Sequence, residues 1–219
     1  MKKLIIFGIG EQAEMAYYYF TNDSNYEVAG FTVDKEFIDQ KTLFDLPIVE
    51  FDIIKQIYPI DIYTLFIAIG YNKVNALRTD KYFACKEKGY KIASYISSKA
   101  SILTKNIGEN CFILEDNTLQ PYVQVGNNVT LWSGNHIGHH SIIKDNCFIT
   151  SHVVISGGVE VGNSTFIGVN ATLRDHIKIG KSNVIGAGAL ILGDTEDNKV
   201  YMEKATEVSR VPSHRLRGI

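Results

Sequence analysis

The chain has 219 residues, with 24 acidic and 22 basic side chains and a formal net charge of −2 at pH 7. This length can bury the core of one large domain or of two small ones. The net charge is close to zero, so we expect no binding to nucleic acid. No apolar stretch approaches the roughly 20 residues that cross a bilayer, so we expect no membrane-spanning segment.

The first 96 residues alternate predicted strands with predicted helices. The strands are expected at 3–7, 28–31, 63–69 and 91–96, and the helices at 12–20 and 77–88. Strands that alternate with helices favour a parallel sheet covered by helices. We therefore predict an α/β domain over residues 1–96, a small Rossmann-like βαβ unit.

Glycine and polar residues follow three of these predicted strands. The carboxyl ends of parallel strands share one edge of a sheet, where open α/β proteins bind ligands. A Gly-x-Gly motif before a helix allows the backbone to approach a bound phosphate closely. The alternative is a simple tight turn between the strand and the helix. The dinucleotide pattern is only approximate, because Ala13 takes the third glycine position. The residues expected to line a ligand site are Gly8, Gly10, Gln12, Asp34, Gly70, Tyr71 and Asn72.

The pattern changes after about residue 100 to a strict six-residue repeat. Every sixth residue from Ile107 to Ile191 is Ile, Leu or Val, fifteen times in succession. A six-residue unit can form one flat side of a triangular coil, so that three units close a turn and successive turns pair as parallel strands ~4.8 Å apart. We predict an all-β parallel β-helix of about five coils within a second domain, 97–219. The period does not fix the handedness.

His139 is the leading candidate for a catalytic residue. It stands at the third position of its repeat, near a predicted corner, and Gly157 and Gly158 stand 18 residues after His139 and His140. A histidine below a strip without side chains leaves room for a ligand, and an imidazole titrating near ~6.5 can accept a proton at neutral pH. The alternative is a solvent-exposed coil histidine. Residues at odd spacing in an extended chain face opposite ways, so we expect His140 to point away from His139.

The other histidines and the cysteines suggest structural roles. We expect His152 and His176 on other sides of the coil, at the surface, and Cys111 and Cys147 at small inward positions of the core. A zinc site needs three or four converging ligands, which this geometry spreads apart, so no metal is expected. No Cys-x-x-Cys pair and no signal-peptide cleavage pattern are present, which favours reduced thiols in a cytoplasmic protein.

The repeats resemble the hexapeptide acyltransferases, whose prism is a left-handed parallel β-helix. With the Gly8–Gly10 motif, the segment 68–72 and the run from 138 to 162, nearly the whole chain resembles the bacterial sugar acetyltransferases of the PglD/NeuD type. The resemblance implies a homotrimer. It also implies acetyl-CoA as acyl donor, bound between neighbouring prisms, and a nucleotide-linked amino sugar as acceptor.

The resemblance also implies residue roles. His139 would be the general base, the Gly157 N–H would stabilise the oxyanion, and Gly157, Gly158 and Phe148 would lie at the bound CoA. Four features depart from the family pattern. His140 replaces the usual acid, Phe148 replaces a histidine that helps bind the acetyl group, and Gln12 replaces a frequent histidine. The fourth is the chain end, where Met202-Glu-Lys-Ala205 replaces the usual Gly-x-Pro-Ala run.

The residues and the resemblance together predict an acetyl-CoA-dependent N-acetyltransferase of a nucleotide-linked amino sugar, with His139 as the base and His140 as the residue that orients it. Two alternatives stay open at this point. One is O-acetylation of a sugar hydroxyl, and the other is a nucleotide-sugar-binding protein that keeps the fold without catalysis.

Overall fold

The computed structural model describes residues 2–215, so the outermost residues of the two predicted domains lie outside the described part of the chain. The N-terminal part is a six-stranded sheet with helices packed on both faces. Its strands are β1 (Lys2–Phe7), β2 (Tyr26–Val33), β3 (Thr42–Leu43), β4 (Leu46–Glu50), β5 (Tyr63–Ile67) and β6 (Lys91–Ile92). Its helices are α1 (Glu11–Asn22), α2 (Ile54–Ile57) and α3 (Ala76–Glu87), and short 3₁₀ turns cover Lys35–Phe37 and Phe51–Ile53.

The strand order is β3-β4-β2-β1-β5-β6, and every pairing is parallel except the one between β3 and β4. The central strand β1 is buried on both faces. Leu4 and Ile6 pack toward α1, while Ile5 and Phe7 pack toward α3. This double burial explains why the sequence of β1 is a continuous apolar run, as parallel sheets require. The predicted alternation of strands and helices is confirmed.

The strand predicted over 91–96 is wrong in one respect, because it is two strands in two different sheets. Ala93 N–H still donates to Leu65 O in the N-terminal sheet, whereas Tyr95 N–H donates to Cys111 O of the C-terminal part. The strand Tyr95–Ile96 pairs with Phe112–Ile113. The chain thus passes from one sheet to the next within two residues, and no glycine or proline in residues 91–96 marks the step.

The C-terminal part is a three-sided prism of stacked coils. Face 1 consists of Tyr95–Ile96, Phe112–Ile113, Thr130–Leu131, Phe148–Ile149, Phe166–Ile167, Val184–Ile185 and Val200–Tyr201. Face 2 consists of Ser101–Ile102, Thr118–Leu119, His136–Ile137, Val154–Ile155, Thr172–Leu173 and Leu190–Ile191. Face 3 consists of Gln124–Val125, Ile142–Ile143, Glu160–Val161 and Lys178–Ile179. Near the C-terminus a 3₁₀ turn covers Ser213–Arg215.

The register confirms the coil of 18 residues. His136 pairs with Val154, and Val154 pairs with Thr172, so each residue lies directly above the one 18 positions earlier. The inward aliphatic side chains, such as Ile137 and Ile155, form one buried column. Cys111 and Cys147 are also fully buried in it, which confirms their place in the core. Within residues 2–215, none of the helices has the length and apolarity that crossing a membrane demands.

The N-terminal part packs against face 1 of the prism through Arg78 of α3. This guanidinium is 1% exposed and donates to Thr130 Oγ1 (2.5 Å) and to the carbonyl oxygens of Asn146 and Cys147 (3.0 Å each). Burial lowers the pKa of Arg78 to about 10, so the group remains charged at neutral pH. A buried cation with several acceptors fixes where the two parts of the chain meet.

Candidate functional site

One cleft of about 600 Å³ lies at the carboxyl ends of β1, β2 and β5. The predicted ligand-site residues all line it: Gly8, Gly10, Gln12, Asp34, Gly70, Tyr71 and Asn72. Topology explains the convergence, because parallel strands end at a common edge. Apolar surface on either side comes from Phe37 and Leu77, which sequence reasoning did not single out.

The charged groups of the cleft include a pair that the sequence did not reveal. Lys81 of α3 donates to Asp34 Oδ1 at 2.8 Å, and its Nζ lies 2.6 Å from Oδ2. Both side chains are about one-fifth exposed, so the pair borders the cleft without being sealed from it. Glu11, in the first turn of α1, brings a second carboxylate to the same lining. Lys81 is the one lysine or arginine among the cleft-lining residues that the structure describes.

The two glycines between β1 and α1 have different structural roles. Gly8 has φ +123°, and a Cβ there would lie 2.7 Å from Ala68 O, so the close approach of β1 and β5 requires glycine. A Cβ on Gly10 would have nothing within 4 Å. Gly10 is the N-cap of α1, and it leaves the free N–H groups of the first helical turn open toward the cleft.

The second group of candidate residues lies on what we name the histidine corner, the edge between faces 2 and 3 formed by the turns 120–122, 138–140, 156–158 and 174–176. His139 is exposed there, and its backbone N–H donates to Gln120 Oε1 at 2.8 Å. Its imidazole lies over Gly157, where a Cβ would come within 2.7 Å of His139 Cε1 and 2.8 Å of Nε2. The glycine is therefore what makes room for the ring.

The expectation that His140 points away from His139 is wrong. The Nδ1 atoms of the two rings lie 3.1 Å apart. His140 has φ 59°, so the turn at this point is left-handed, and the alternation of an extended chain does not apply. The ring of Tyr122, one coil below, lies 4.6 Å from that of His140 and is tilted by 32°, so His140 is supported from beneath.

Gly157 also offers a hydrogen-bond donor. Among the hydrogen bonds found within residues 2–215, none is donated by the Gly157 N–H, although Gly157 O accepts from His176 N–H at 3.0 Å. The neighbouring Gly158 N–H is occupied, because it donates to His139 O at 2.8 Å. The imidazole of His139 thus lies beside one backbone donor that is available to a ligand.

His176 was expected on another side of the prism, and this expectation is wrong. It lies 36 residues after His140, two coils of 18, and so stands in the same column of the histidine corner. Its ring overlaps the position that a Cβ on Gly158 would take. Its Nε2 lies 4.0 Å from Asp175 Oδ2. The six-residue period, counted over two coils, places His176 above His140.

Phe148 is not brought to the histidine corner. It lies on face 1, is 1% exposed, and is covered by Tyr71 (ring centroids 5.0 Å apart) and by the Arg78 guanidinium (5.4 Å). An aromatic ring at this position packs the junction between the two parts of the chain. The expectation that Phe148 contacts bound CoA is therefore wrong for this chain.

The cleft and the histidine corner lie on opposite sides of one chain. Tyr71, at the cleft, packs on Phe148 and Phe166 of face 1. On a three-sided prism, the edge between faces 2 and 3 is the edge opposite face 1. Across the described residues, no cluster of three or more His, Cys, Asp or Glu side chains has the arrangement of a metal site.

Comparison with known proteins identifies the repeat. A family model described as bacterial transferase hexapeptide (six repeats) matches residues 122–157, which include His139, His140 and Gly157. The bifunctional protein GlmU of Ruthia magnifica subsp. Calyptogena magnifica is 29% identical over 146 residues, which cover 53% of this chain and 32% of that protein. The chain thus spans about a third of the length of this curated relative.

Two solved structures share the fold along nine-tenths of the chain. One is a histidine-to-asparagine mutant of perosamine N-acetyltransferase from Caulobacter crescentus, in complex with CoA and GDP-perosamine (TM-score 0.79, 20% identity, 90% of this chain and 92% of that one). The other is the acetyltransferase domain of PglB from Neisseria gonorrhoeae FA1090, in complex with acetyl coenzyme A (TM-score 0.59, 19% identity, 91% and 95%). The family model confirms the hexapeptide repeat within residues 122–157, and the likeness to the solved structures, at these identities, establishes the fold.

Proposed function

We propose that this protein is an acetyl-CoA-dependent N-acetyltransferase that acts on a nucleotide-linked amino sugar. The observation that carries the proposal is the exposed imidazole of His139 beside Gly157, whose N–H has no acceptor among the described residues. The solved structures with this fold support it, since they include an N-acetyltransferase bound to CoA and a nucleotide sugar.

His139 is the general base of the proposed reaction. An amine that attacks a thioester must lose a proton, and an imidazole can accept one at neutral pH. Because His139 Nδ1 faces His140 at 3.1 Å, Nε2 is the nitrogen left for the substrate. His140 holds the ring in place from the position where related proteins carry an acid.

Gly157 supplies the oxyanion donor. Attack on the thioester places negative charge on its carbonyl oxygen, and a fixed backbone N–H at that point stabilises the charge without reorganisation. The residues present fit the donor substrate, because Gly157 and Gly158 carry no side chains of their own beside the His139 ring, so that a thioester can approach the Gly157 N–H. Acetyl-CoA supplies the activated acetyl group there. Phe148 has no part in this proposal.

In this proposal residues 1–96, a Rossmann-like unit whose last strand already pairs with the prism, bind the nucleotide sugar, and residues 97–219 form the acyltransferase domain. The N-terminus of α1 and Lys81 offer donors to a diphosphate, while Phe37 and Leu77 offer apolar surface to a base. Gly10 allows the phosphates to approach the helix closely. Asp34, Gly70, Tyr71, Asn72 and Gln12 complete the lining.

The active unit is a homotrimer of left-handed prisms in this proposal. The cleft and His139 of one chain lie on opposite sides of its own prism, so a sugar bound in the cleft reaches the histidine corner of a neighbouring copy. Acetyl-CoA lies in the groove between the two copies. The three buried cysteines carry free thiols, which supports a cytoplasmic enzyme.

The proposal is tested by offering the purified protein acetyl-CoA and a panel of nucleotide-linked amino sugars, and by measuring release of the CoA thiol. We expect thiol release with at least one amino sugar and its loss in His139→Ala. Release only with sugars that lack an amine would show O-acetylation. Tight binding of a nucleotide sugar without turnover on any acceptor would show a binding protein without catalysis.

A further inference from the structure

The histidine corner carries a second imidazole beside the first. His139 lies over Gly157 from the coil below, and His176 lies over Gly158 from the coil above. Consecutive Cα atoms are about 3.8 Å apart, so the two rings cover neighbouring residues of one turn. Gly157 and Gly158 therefore lie side by side beneath two imidazoles, with the His139 ring on the first and the His176 ring on the second.

Asp175 comes directly before His176, in the turn one coil above the two glycines. It stands 36 residues after His139, so His139, Gly157 and Asp175 form one column of the corner. Adjacent coils are about 4.8 Å apart, which places the carboxylate one coil above the glycine that the His139 ring covers. The Asp175 side chain is 60% exposed and His176 is 73% exposed, so both are accessible to a ligand.

The charged side chains near Asp175 leave its carboxylate able to bind a ligand. His176 Nε2, at 4.0 Å, is the only ionic partner of Asp175 among the described residues. Arg174 and Lys178 stand on either side along the chain, and neither is an ion-pair partner of Asp175 in the described part of the chain. On the next coil, the Asp194 carboxylate accepts from Lys178 N–H at 2.8 Å.

We infer that Asp175 and His176 form the second wall of the acceptor site, where the carboxylate attracts the ammonium of the incoming amine opposite His139. A primary amine is mostly protonated at neutral pH, and a hydroxyl has no such charge. The pair therefore selects an amine over a hydroxyl before His139 removes the proton. The inference rests on the proposed function and assigns its acceptor specificity to two residues.

The edge between faces 1 and 2 provides matched controls. His152 lies over Gly134 in the same way that His176 lies over Gly158, and Asp116 is an exposed aspartate in that same column. Asp116→Asn and His152→Ala thus make the same chemical changes as Asp175→Asn and His176→Ala, on an edge that carries no candidate base.

The experiment measures kcat and KM for the best amino-sugar acceptor and KM for acetyl-CoA in all four variants and in Asp175→Glu. We expect Asp175→Asn to raise the acceptor KM roughly 10- to 150-fold and His176→Ala roughly 2- to 12-fold, the ranges of one charged and one neutral hydrogen bond. The acetyl-CoA KM stays within about twofold of the wild type, and Asp175→Glu recovers most of the acceptor affinity.

If the wild type turns over and the Asp175 and His176 variants match their controls, the inference is wrong and the proposed function stands. An Asp175→Glu variant as impaired as Asp175→Asn would also overturn it, because the charge would then be irrelevant. If the wild type releases no thiol with any acceptor, the proposed function fails and this inference fails with it. Equal thermal denaturation midpoints exclude unfolding as the cause, since both side chains are exposed.

Discussion

The imidazoles of His139 and His140 are hydrogen-bonded neighbours, with their Nδ1 atoms 3.1 Å apart on an exposed corner. Two neutral imidazoles can share such a contact only if one donates and the other accepts. When His139 Nδ1 carries the proton, His139 Nε2 is an acceptor beside Gly157. In that tautomer the contact with His140 leaves Nε2 with the lone pair that a general base needs.

Replacing His139 with Ala should lower kcat roughly 10²- to 10⁴-fold, the contribution typical of a general base, with little change in either KM. Steady-state assay of thiol release measures this. His152→Ala removes an imidazole from an equivalent turn on another edge and should leave kcat within about twofold. Unchanged turnover in His139→Ala would remove this residue from the mechanism.

Replacing His140 with Ala should lower kcat about 10-fold, because His139 loses the partner that orients its ring. His140→Glu should retain most of the activity, because a carboxylate accepts from His139 Nδ1–H more strongly than a neutral imidazole does. Comparing the kcat values of the two variants provides the test. If Glu is as damaging as Ala, then His140 acts through its ring, for example through contact with Tyr122.

Much of the prism was predictable because its core residues recur at a fixed spacing. One inward aliphatic every sixth residue determines the coil, the faces and the column in which each residue stands. The same arithmetic places His176 two coils above His140, although 36 residues separate them in the sequence. The contact between His139 and His140 could not be predicted from this spacing, because it depends on the left-handed φ of His140.

The junction between the two parts of the chain was not predictable from local patterns. Arg78 lies on the predicted helix 77–88 as one cation among several, and only the folded chain shows that face 1 buries it. The β3–β4 hairpin was missed because both strands are short and β4 contains Pro47. The cleft was predictable because its residues follow strands, whereas Lys81 comes from the body of a helix.

Lys81→Met should weaken binding of a nucleoside diphosphate to the purified protein about 10-fold, since Lys81 is the one cation of the described cleft lining. Calorimetric titration with a set of nucleoside diphosphates measures this. Lys88→Met, just after the end of α3 and outside the cleft lining, is the control and should bind as the wild type does. Equal affinity in the two variants would place the phosphates elsewhere.

Arg78→Met should destabilise the fold by about 3–5 kcal/mol, because Thr130 Oγ1 and two carbonyl oxygens lose a buried charged donor. The free energy of unfolding in denaturant measures the change. Arg174→Met alters an exposed arginine and should change stability by no more than about 0.5 kcal/mol. A small effect of Arg78→Met would show that the junction rests on aromatic packing instead.

Acid should destabilise the protein through two carboxylates at the base of the prism. Hydrogen bonds from Tyr95 and Ser98 lower the pKa of Asp23. Burial tends to raise the pKa of Glu115, but hydrogen bonds from Ser133 and Tyr19 more than offset it, so the net shift is downward.

A lowered pKa in the folded state means that the unfolded chain binds the proton more tightly. The stabilisation by each carboxylate is therefore complete above the unfolded pKa, about 3.9 for Asp and 4.3 for Glu, and is lost as pH falls through the folded value. Asp23→Asn and Glu115→Gln should each be less stable than the wild type at pH 7, and this difference should shrink between about pH 5 and pH 3. Thermal denaturation over this range measures it, with Asp116→Asn as the exposed control. A difference that stays constant down to pH 3 would show that the charge of these carboxylates does not hold α1 to the prism.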